Sequence, residues 1–171
     1  MVTVITGGIK SGKSSWAQER AETISGKRAF IATALALDEE IRERIKKHQC
    51  DRADKWITYE EPFDIVPLLK SVAKKYDVVL LDCLTMWISN LLTVYNCSPE
   101  LVAQKSSDLT AALADNSCQI ILVTNEVGMG IIPPDKLSRA FQGYLGRLNR
   151  EVASVANEVY MMVSGVPIKF K

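Results

Sequence analysis

A glycine-rich run near the start of the chain constrains the fold more strongly than any other feature. Residues 7–14 read Gly7-Gly8-Ile9-Lys10-Ser11-Gly12-Lys13-Ser14, and they fit the Walker A pattern G-x-x-x-x-G-K-[ST] without a mismatch. The run follows a largely apolar stretch at 2–5 that predicts a strand, and it precedes a stretch at 15–24 that predicts a helix. This context favours a phosphate-binding loop over an ordinary glycine-rich turn.

Each part of this Walker loop suits the phosphates of a nucleoside triphosphate. Its glycines let the backbone wrap closely, so that successive N–H groups can face an anion. The helix that follows adds the positive end of its dipole. We expect Lys13 to reach the β- and γ-phosphates and to act in catalysis, and Ser14 to bind Mg²⁺.

Short apolar runs alternate with longer amphipathic stretches along the rest of the chain. The apolar runs predict buried strands at residues 2–5, 29–32, 78–81, 120–123 and 159–163, and a short edge strand at 168–170. The longer stretches predict helices at residues 15–24, 39–48, 65–75, 85–94, 101–114 and 137–156. This alternation is typical of an α/β domain with a mostly parallel sheet and helices on both faces. Residues 1–171 are expected to form one such domain.

Composition and charge exclude several other classes of protein. Hydrophobic residues make up 47% of the chain, charged residues 24%, and the net charge is +1, which gives no support for nucleic-acid or membrane-surface binding. No apolar run is long enough to span a membrane, and no signal-peptide pattern is visible. The four cysteines and the single histidine form no zinc pattern. The scattered thiols, together with the nucleotide-binding loop, predict that the protein works in the reducing cytoplasm.

Polar residues directly follow several of the predicted strands. Because ligands bind at the carboxyl ends of parallel strands, we expect the Walker loop, Thr33, Asp82 and residues 125–126 on one rim. Asp82 ends the run Val78-Val79-Leu80-Leu81, as the metal-binding carboxylate of a Walker B strand does; the alternative is a cap for the next helix. Residues 124–130 read Thr-Asn-Glu-Val-Gly-Met-Gly, which suits either a mobile loop near substrate or a capping turn.

The only histidine, His48, ends the predicted helix at 39–48. Nearby cations favour the neutral imidazole, which is a nucleophile, and they would also attract phosphate. The alternative is a surface histidine at a helix C-terminus. The flanking cations are Lys46, Lys47, Arg52 and Lys55.

Aromatic and apolar side chains elsewhere have a simpler interpretation. Trp56, Tyr59 and Trp87 could contact a planar ligand, but such residues more often belong to the core. Apolar residues at helical spacing predict that the helix at 137–156 packs through one face. These are Leu137, Phe141, Leu145, Leu148 and Val152.

Taken in order, these motifs resemble the bifunctional adenosylcobinamide kinase/adenosylcobinamide-phosphate guanylyltransferase family of cobalamin biosynthesis. The resemblance covers essentially the whole chain. Its most specific parts are the lone histidine and the run at 122–131, Leu-Val-Thr-Asn-Glu-Val-Gly-Met-Gly-Ile. The other matching pieces are Thr6 with the Walker loop, Phe30-Ile31-Ala32-Thr33, Asp38-Glu39-Glu40, Arg44-Ile45-Lys46-Lys47-His48, Trp56, Glu60, Leu81-Asp82-Cys83-Leu84-Thr85, Asn90-Leu91-Leu92, Arg147-Leu148-Asn149 and Val163-Ser164-Gly165.

The resemblance implies two reactions on one polypeptide with a RecA-like P-loop NTPase fold. The first phosphorylates the aminopropanol hydroxyl of adenosylcobinamide with ATP or GTP. The second attaches GMP from GTP to a histidine and transfers it to the new phosphate, giving adenosylcobinamide-GDP and pyrophosphate. Mg²⁺ as the metal and a homo-oligomer such as a trimer are also implied.

The resemblance also assigns individual residues. The histidine nucleophile maps onto His48, and the metal ligands remain Ser14 and Asp82, although the family often carries glutamate at the position of Asp82. The remaining nucleotide contacts map onto the Walker loop, Thr33, Gln49, Cys50, Asp51, Arg52, Glu60 and Asp82.

Two other functions fit parts of the sequence. A P-loop kinase for another small metabolite would carry no covalent nucleotide on His48. A non-catalytic regulatory module would bind nucleotide without turning it over. The combination of His48 with residues 125–130 favours the bifunctional enzyme.

Overall fold

The computed structural model describes residues 1–35 and 55–171, and in these residues seven strands form one sheet. In chain order the strands are β1 (Val2–Gly7), β2 (Arg28–Ala32), β3 (Ile57–Glu60), β4 (Val78–Asp82), β5 (Gln119–Val123), β6 (Glu158–Val163) and β7 (Val166–Lys169). Their order across the sheet is β3-β2-β4-β5-β1-β6-β7. Neighbouring strands are parallel except at one edge, where β7 returns antiparallel to β6.

The connections between the described strands carry the helices α1 (Lys13–Glu22), α2 (Ile65–Val72), α3 (Leu84–Thr93), α4 (Pro99–Ala114) and α5 (Lys136–Val155). Local sequence explains where the last two begin. Ser98 accepts a hydrogen bond from the backbone of Leu101, and Pro99 occupies the first turn of α4, where its missing N–H costs nothing. Asp135 accepts from the backbone of Ser138 and so caps α5. No described helix has the length and apolar character needed to cross a membrane.

Alternate residues of the central strands point into two separate cores. Val4 of β1 and Leu122 of β5 belong to the larger core, which α2, α3, α4 and α5 cover. Ile5 and Val123, one position further along each strand, belong to the smaller core beneath α1. The central strands are therefore buried on both faces, as their continuous apolar runs predict. The predicted α/β sheet with helices on both faces is confirmed.

The structure corrects some details of the predicted elements. Strand β3 was not predicted, because its four residues form no apolar run and Ile57 is 54% exposed at the edge of the sheet. Helix α1 begins two residues before the predicted start, and α2 ends at Val72, three residues before the predicted end. Leu137 is exposed rather than packed, whereas Leu145, Leu148 and Val152 are buried as predicted. The predicted helix at 39–48 lies outside the described residues.

Candidate active site

The Walker loop joins β1 to α1 at the carboxyl end of the sheet. Gly7 has φ +143°, and a Cβ atom there would lie 2.4 Å from the carbonyl oxygen of Met162 on β6. Any larger residue at position 7 would therefore push the loop away from the sheet. Gly12, directly before α1, has φ +92°, a conformation that favours glycine. At both fixed glycine positions of the Walker pattern, the local backbone therefore favours a residue without a side chain.

Lys13 points into the Walker loop rather than into solvent. It is the first residue of α1 and is 7% exposed. Its ammonium donates to the carbonyl oxygen of Gly8, with Nζ and O 2.5 Å apart, and lies 3.5 Å from Ser11 Oγ. Ser14 follows in the same helical turn and is half-buried. The loop therefore surrounds a positive charge next to a hydroxyl, which suits phosphate oxygens and their metal ion.

Two other segments hold the Walker loop from outside. Ser164 and Gly165 form the turn between β6 and β7, with φ of +51° and +84°, as a two-residue hairpin turn with two left-handed residues requires. The backbone N–H of Gly165 donates to the carbonyl oxygen of Ser11 at 3.1 Å. From the side of β5, the N–H of Glu126 donates to the carbonyl oxygen of Gly7 at 3.1 Å. These contacts join the loop to both of its neighbours at the rim.

Asp82 lies on the same rim as the Walker loop. It ends β4, where its register partners are Ala32 on β2 and Val123 on β5. One strand, β5, separates β4 from β1, so the strands that carry Asp82 and Gly7 are about 10 Å apart. The carboxylate is half-buried. Its position suits a metal-linked contact to phosphate better than a direct one.

Thr33 is completely buried and positions the chain that follows Asp82. Its hydroxyl donates to the carbonyl oxygen of Cys83 at 2.7 Å and accepts from the N–H of Cys83 at 2.9 Å. The Asn90 side chain in turn donates to the carbonyl oxygen of Thr33 at 2.7 Å. A direct contact between Thr33 and nucleotide remains a prediction.

Cys83 stands next to Asp82 but is not suited to nucleophilic chemistry. Burial raises the pKa of its thiol to about 12, and the negative charge of Asp82 adds to the effect. The thiol is therefore protonated at neutral pH, whereas a nucleophilic cysteine must be a thiolate. Its sulfur instead accepts a hydrogen bond from the backbone of Met86 and caps α3.

The run at 124–130 is anchored at its start by side chains from two helices. The hydroxyl of Thr124 donates to Asn149 Oδ1 at 2.7 Å, and Asn149 Nδ2 donates to the carbonyl oxygen of Asn125 at 2.9 Å. The N–H of Asn125 donates to Thr85 Oγ1 at 2.7 Å, and Gln142 Nε2 donates to the carbonyl oxygen of Val127 at 2.9 Å. Residues 128–132 beyond these anchors are exposed.

Sequence reasoning missed the anchoring role of Asn149. Its position directly after the buried Leu148 could have indicated that Asn149 faces the rest of the protein. The sequence could not show that its partners would be Thr124 and Asn125, which follow β5.

The other predicted site residues fall into two groups. Glu60 ends β3 on the same rim, but β3 lies four strand positions from β1, or about 19 Å. Its contact with nucleotide remains a prediction. His48, Gln49, Cys50, Asp51 and Arg52 lie outside the described residues, and so their roles remain predictions as well.

The aromatic residues belong to the core, as the simpler interpretation predicted. Trp56 is 5% exposed and Trp87 is fully buried. The indole of Trp87 donates to the carbonyl oxygen of Phe63 at 2.9 Å. Tyr59 packs against the larger core, with its hydroxyl 2.9 Å from that of Tyr76.

These features define a P-loop NTPase of RecA-like fold. They are a Walker loop after β1, a carboxylate at the end of β4, and a mostly parallel sheet with helices on both faces. Solved structures agree. A prototypical ATPase from the type III secretion system of pathogenic bacteria superposes with a TM-score of 0.59 at 13% identity, over 95% of this chain and 51% of the other. A protein from Pyrococcus horikoshii OT3 superposes with a TM-score of 0.60 at 8% identity, over 98% of this chain and 84% of the other. These low identities show the fold alone.

Sequence comparisons identify the family within this class. The family described as cobinamide kinase / cobinamide phosphate guanyltransferase matches residues 3–170. The bifunctional adenosylcobalamin biosynthesis protein CobU of Escherichia coli (strain K12) is 35% identical over the full length of both chains. The corresponding protein CobP of Pseudomonas aeruginosa is 36% identical over 100% of this chain and 98% of its own.

The chain therefore belongs to the cobinamide kinase / cobinamide phosphate guanyltransferase family, and the resemblance seen in its motifs is confirmed. Its activities are those of a cobinamide kinase and guanylyltransferase of cobalamin biosynthesis. The two other functions that the sequence left open are not favoured.

Proposed function

We propose that the Walker loop serves both reactions of this enzyme. In the kinase reaction, the aminopropanol hydroxyl of adenosylcobinamide loses its proton and bonds to the γ-phosphorus of ATP or GTP, and the nucleoside diphosphate leaves. In the guanylyl reaction, a nitrogen of His48 bonds to the α-phosphorus of GTP, and pyrophosphate leaves. The GMP group then moves to a phosphate oxygen of adenosylcobinamide phosphate, which yields adenosylcobinamide-GDP and frees the histidine.

The observation that carries this proposal is the placement of the Lys13 ammonium inside the loop. In the kinase step, charge develops on the leaving diphosphate. In the guanylyl step it develops on the leaving pyrophosphate. One buried cation can neutralise both, and burial strengthens its effect because the local dielectric is low. The run after β5 and the β6–β7 turn hold the loop through backbone hydrogen bonds, which favours a fixed position for this cation.

Ser14 and Asp82 are the residues we propose for Mg²⁺. Both offer hard oxygen donors and are half-buried at the rim, which suits this ion. Within residues 1–35 and 55–171, no hydrogen bond occupies the Asp82 carboxylate. Held by these two residues, Mg²⁺ would neutralise charge on the nucleotide phosphates. We expect positioning and charge neutralisation to dominate the kinase step.

His48 is proposed as the nucleophile from sequence. Its cationic neighbours favour the neutral imidazole and would hold the guanylylated state. As the sole histidine it cannot also act as a separate base. Guanine contacts are proposed for Gln49, Cys50, Asp51, Arg52 and Glu60. A homo-oligomer such as a trimer, acting in the cytoplasm, completes the proposal.

Incubation with GTP labelled at the α-phosphate tests the guanylyl-histidine. Because a phosphoramidate is acid-labile and base-stable, we expect label that stays on the denatured chain in base and is lost in acid. The His48→Ala variant should take up none. Acid-stable label, or active protein without label, would contradict the intermediate.

A further inference from the structure

An uncharged apolar segment protrudes from the rim that carries the Walker loop. Residues 127–134 read Val-Gly-Met-Gly-Ile-Ile-Pro-Pro and carry no charge. Met129, Ile131 and Ile132 are 76%, 93% and 75% exposed. Single exposed apolar residues are ordinary on protein surfaces. Three large ones within four positions form a patch of the kind that marks a binding surface.

The base of this apolar rim segment is fixed beside the phosphate-binding loop. Glu126 bonds to Gly7 through its backbone N–H, 3.1 Å from the carbonyl oxygen. Gln142 holds the carbonyl oxygen of Val127 at 2.9 Å. Three residues of chain reach at most about 11 Å, so Met129 cannot lie far from the Walker loop. A molecule that rests on this segment can therefore place one end at the γ-phosphate.

The backbone of the segment is open as well. A Cβ atom on Gly130 would meet no atom within 4 Å. A flat ligand can therefore approach the main chain closely between Met129 and Ile131.

We propose that the apolar rim segment docks the corrin macrocycle of adenosylcobinamide while the aminopropanol hydroxyl reaches the Walker loop. The kinase acceptor must bring its hydroxyl to the γ-phosphate, so the rest of the molecule lies on the rim beyond. A corrin ring has broad apolar faces and uncharged amides at its edge, which match an uncharged apolar segment with an open backbone. The inference rests on the proposed function, because it names the binding surface for the kinase substrate.

The test uses the double variant Ile131→Ser/Ile132→Ser in the full chain, beside Ile57→Ser. Ile57 is an exposed isoleucine at the amino-terminal end of β3 and serves as the matched control. Corrinoid binding without nucleotide is measured by equilibrium dialysis and absorbance, together with the kinase KM for corrinoid and for nucleotide. We expect the corrinoid Kd and KM of the double variant to rise about tenfold or more, since two isoleucines lose their apolar contacts. Nucleotide KM, oligomeric state and the control variant should stay unchanged.

An unchanged corrinoid Kd in the double variant overturns the proposal. A shift of that variant to a smaller oligomer also overturns it, because the segment would then be a contact between copies of the chain. If the wild-type chain binds corrinoid without phosphorylating it, the proposed function fails, and the docking surface is judged by the Kd alone. If the wild-type chain binds no corrinoid, both proposals fail.

Discussion

At the scale of single residues, two buried polar residues of the rim, Lys13 and Thr33, have different surroundings. Lys13 is buried inside the Walker loop, with its ammonium beside Gly8 and Ser11. Thr33 is also buried on this rim, but its hydroxyl is engaged with the backbone of Cys83. Lys13 is therefore the described residue whose removal should affect both reactions directly.

Replacement of Lys13 by alanine should reduce kcat/KM of both reactions by a factor of about 100 or more, since one preorganised charge contact at a transition state contributes about 3 kcal/mol. The measurements are phosphorylation of adenosylcobinamide and GMP transfer to its phosphate. Lys74→Ala, an exposed lysine next to β4 at the opposite end of the sheet, is the control. Near-normal turnover of Lys13→Ala in either reaction would mean that the two reactions do not share the loop.

Replacement of His48 by alanine should separate the two reactions. GMP transfer should be lost, because the proposed phosphoramidate bond forms on a nitrogen of this histidine. Much of the kinase activity should remain, because the γ-phosphoryl group passes directly to the hydroxyl. Both activities are measured on the same preparation. Retained GMP transfer would exclude His48 as the nucleophile, and loss of both activities in a folded variant would indicate a shared role.

At the scale of elements, the rim is held by contacts between strand ends and distant helices. The run that follows β5 is bonded to α3 through Thr85 and to α5 through Asn149 and Gln142. The β6–β7 turn meets the Walker loop through Gly165. The loops that surround the candidate site are thus fixed at their bases by rigid elements, which favours accurate positioning of substrate groups.

Replacement of Asn149 by leucine tests this anchoring. The variant keeps a similar side-chain volume but leaves the buried Thr124 hydroxyl and the carbonyl oxygen of Asn125 without their partner. We expect the free energy of unfolding to fall by about 2 kcal/mol, the usual cost of unsatisfied buried groups. Urea unfolding gives the value, and Arg150→Leu, an exposed neighbour on α5, should change it little. Equal effects of the two substitutions would argue against the anchor.

At the scale of the whole molecule, the sheet brings sequence-distant residues to one rim. The Walker loop follows β1, the proposed metal ligand Asp82 ends β4, and the apolar rim segment follows β5, which lies between them. The contacts that hold the loop come from the β6–β7 turn and from the run that follows β5. Nucleotide bound at the loop should therefore stabilise the fold as a whole.

A GTP analogue that cannot be cleaved should raise the melting temperature in the presence of Mg²⁺. At a ligand concentration of 100 times Kd, the added stability is about 2.7 kcal/mol. Removal of the metal with a chelator should reduce the shift, because Ser14 and Asp82 then cannot link to the phosphates through the ion. Differential scanning calorimetry measures the melting temperature with and without the chelator. A shift of equal size with and without metal would count against the proposed Mg²⁺ ligands.

Local sequence determined much of this protein. The Walker loop could be recognised because its glycines, lysine and serine act within eight consecutive residues. The central strands could be recognised because burial on both faces demands continuous apolar runs. The short edge strand at the end of the chain was predicted as well, at residues 168–170, although β7 occupies Val166–Lys169. Each of these signals reflects neighbouring residues, and the order of the motifs identified the family.

Tertiary structure alone decided which distant residues meet. The edge strand β3 forms because β2 offers it backbone partners, not because its own four residues demand a strand. Leu137 fits the helical pattern of α5 but is 53% exposed, since no element within residues 1–35 and 55–171 covers its side chain. The pairing of Asn149 with Thr124 spans 25 positions. A sequence pattern records which side chains tend to be buried, but the partner of each polar group depends on how the helices and strands pack.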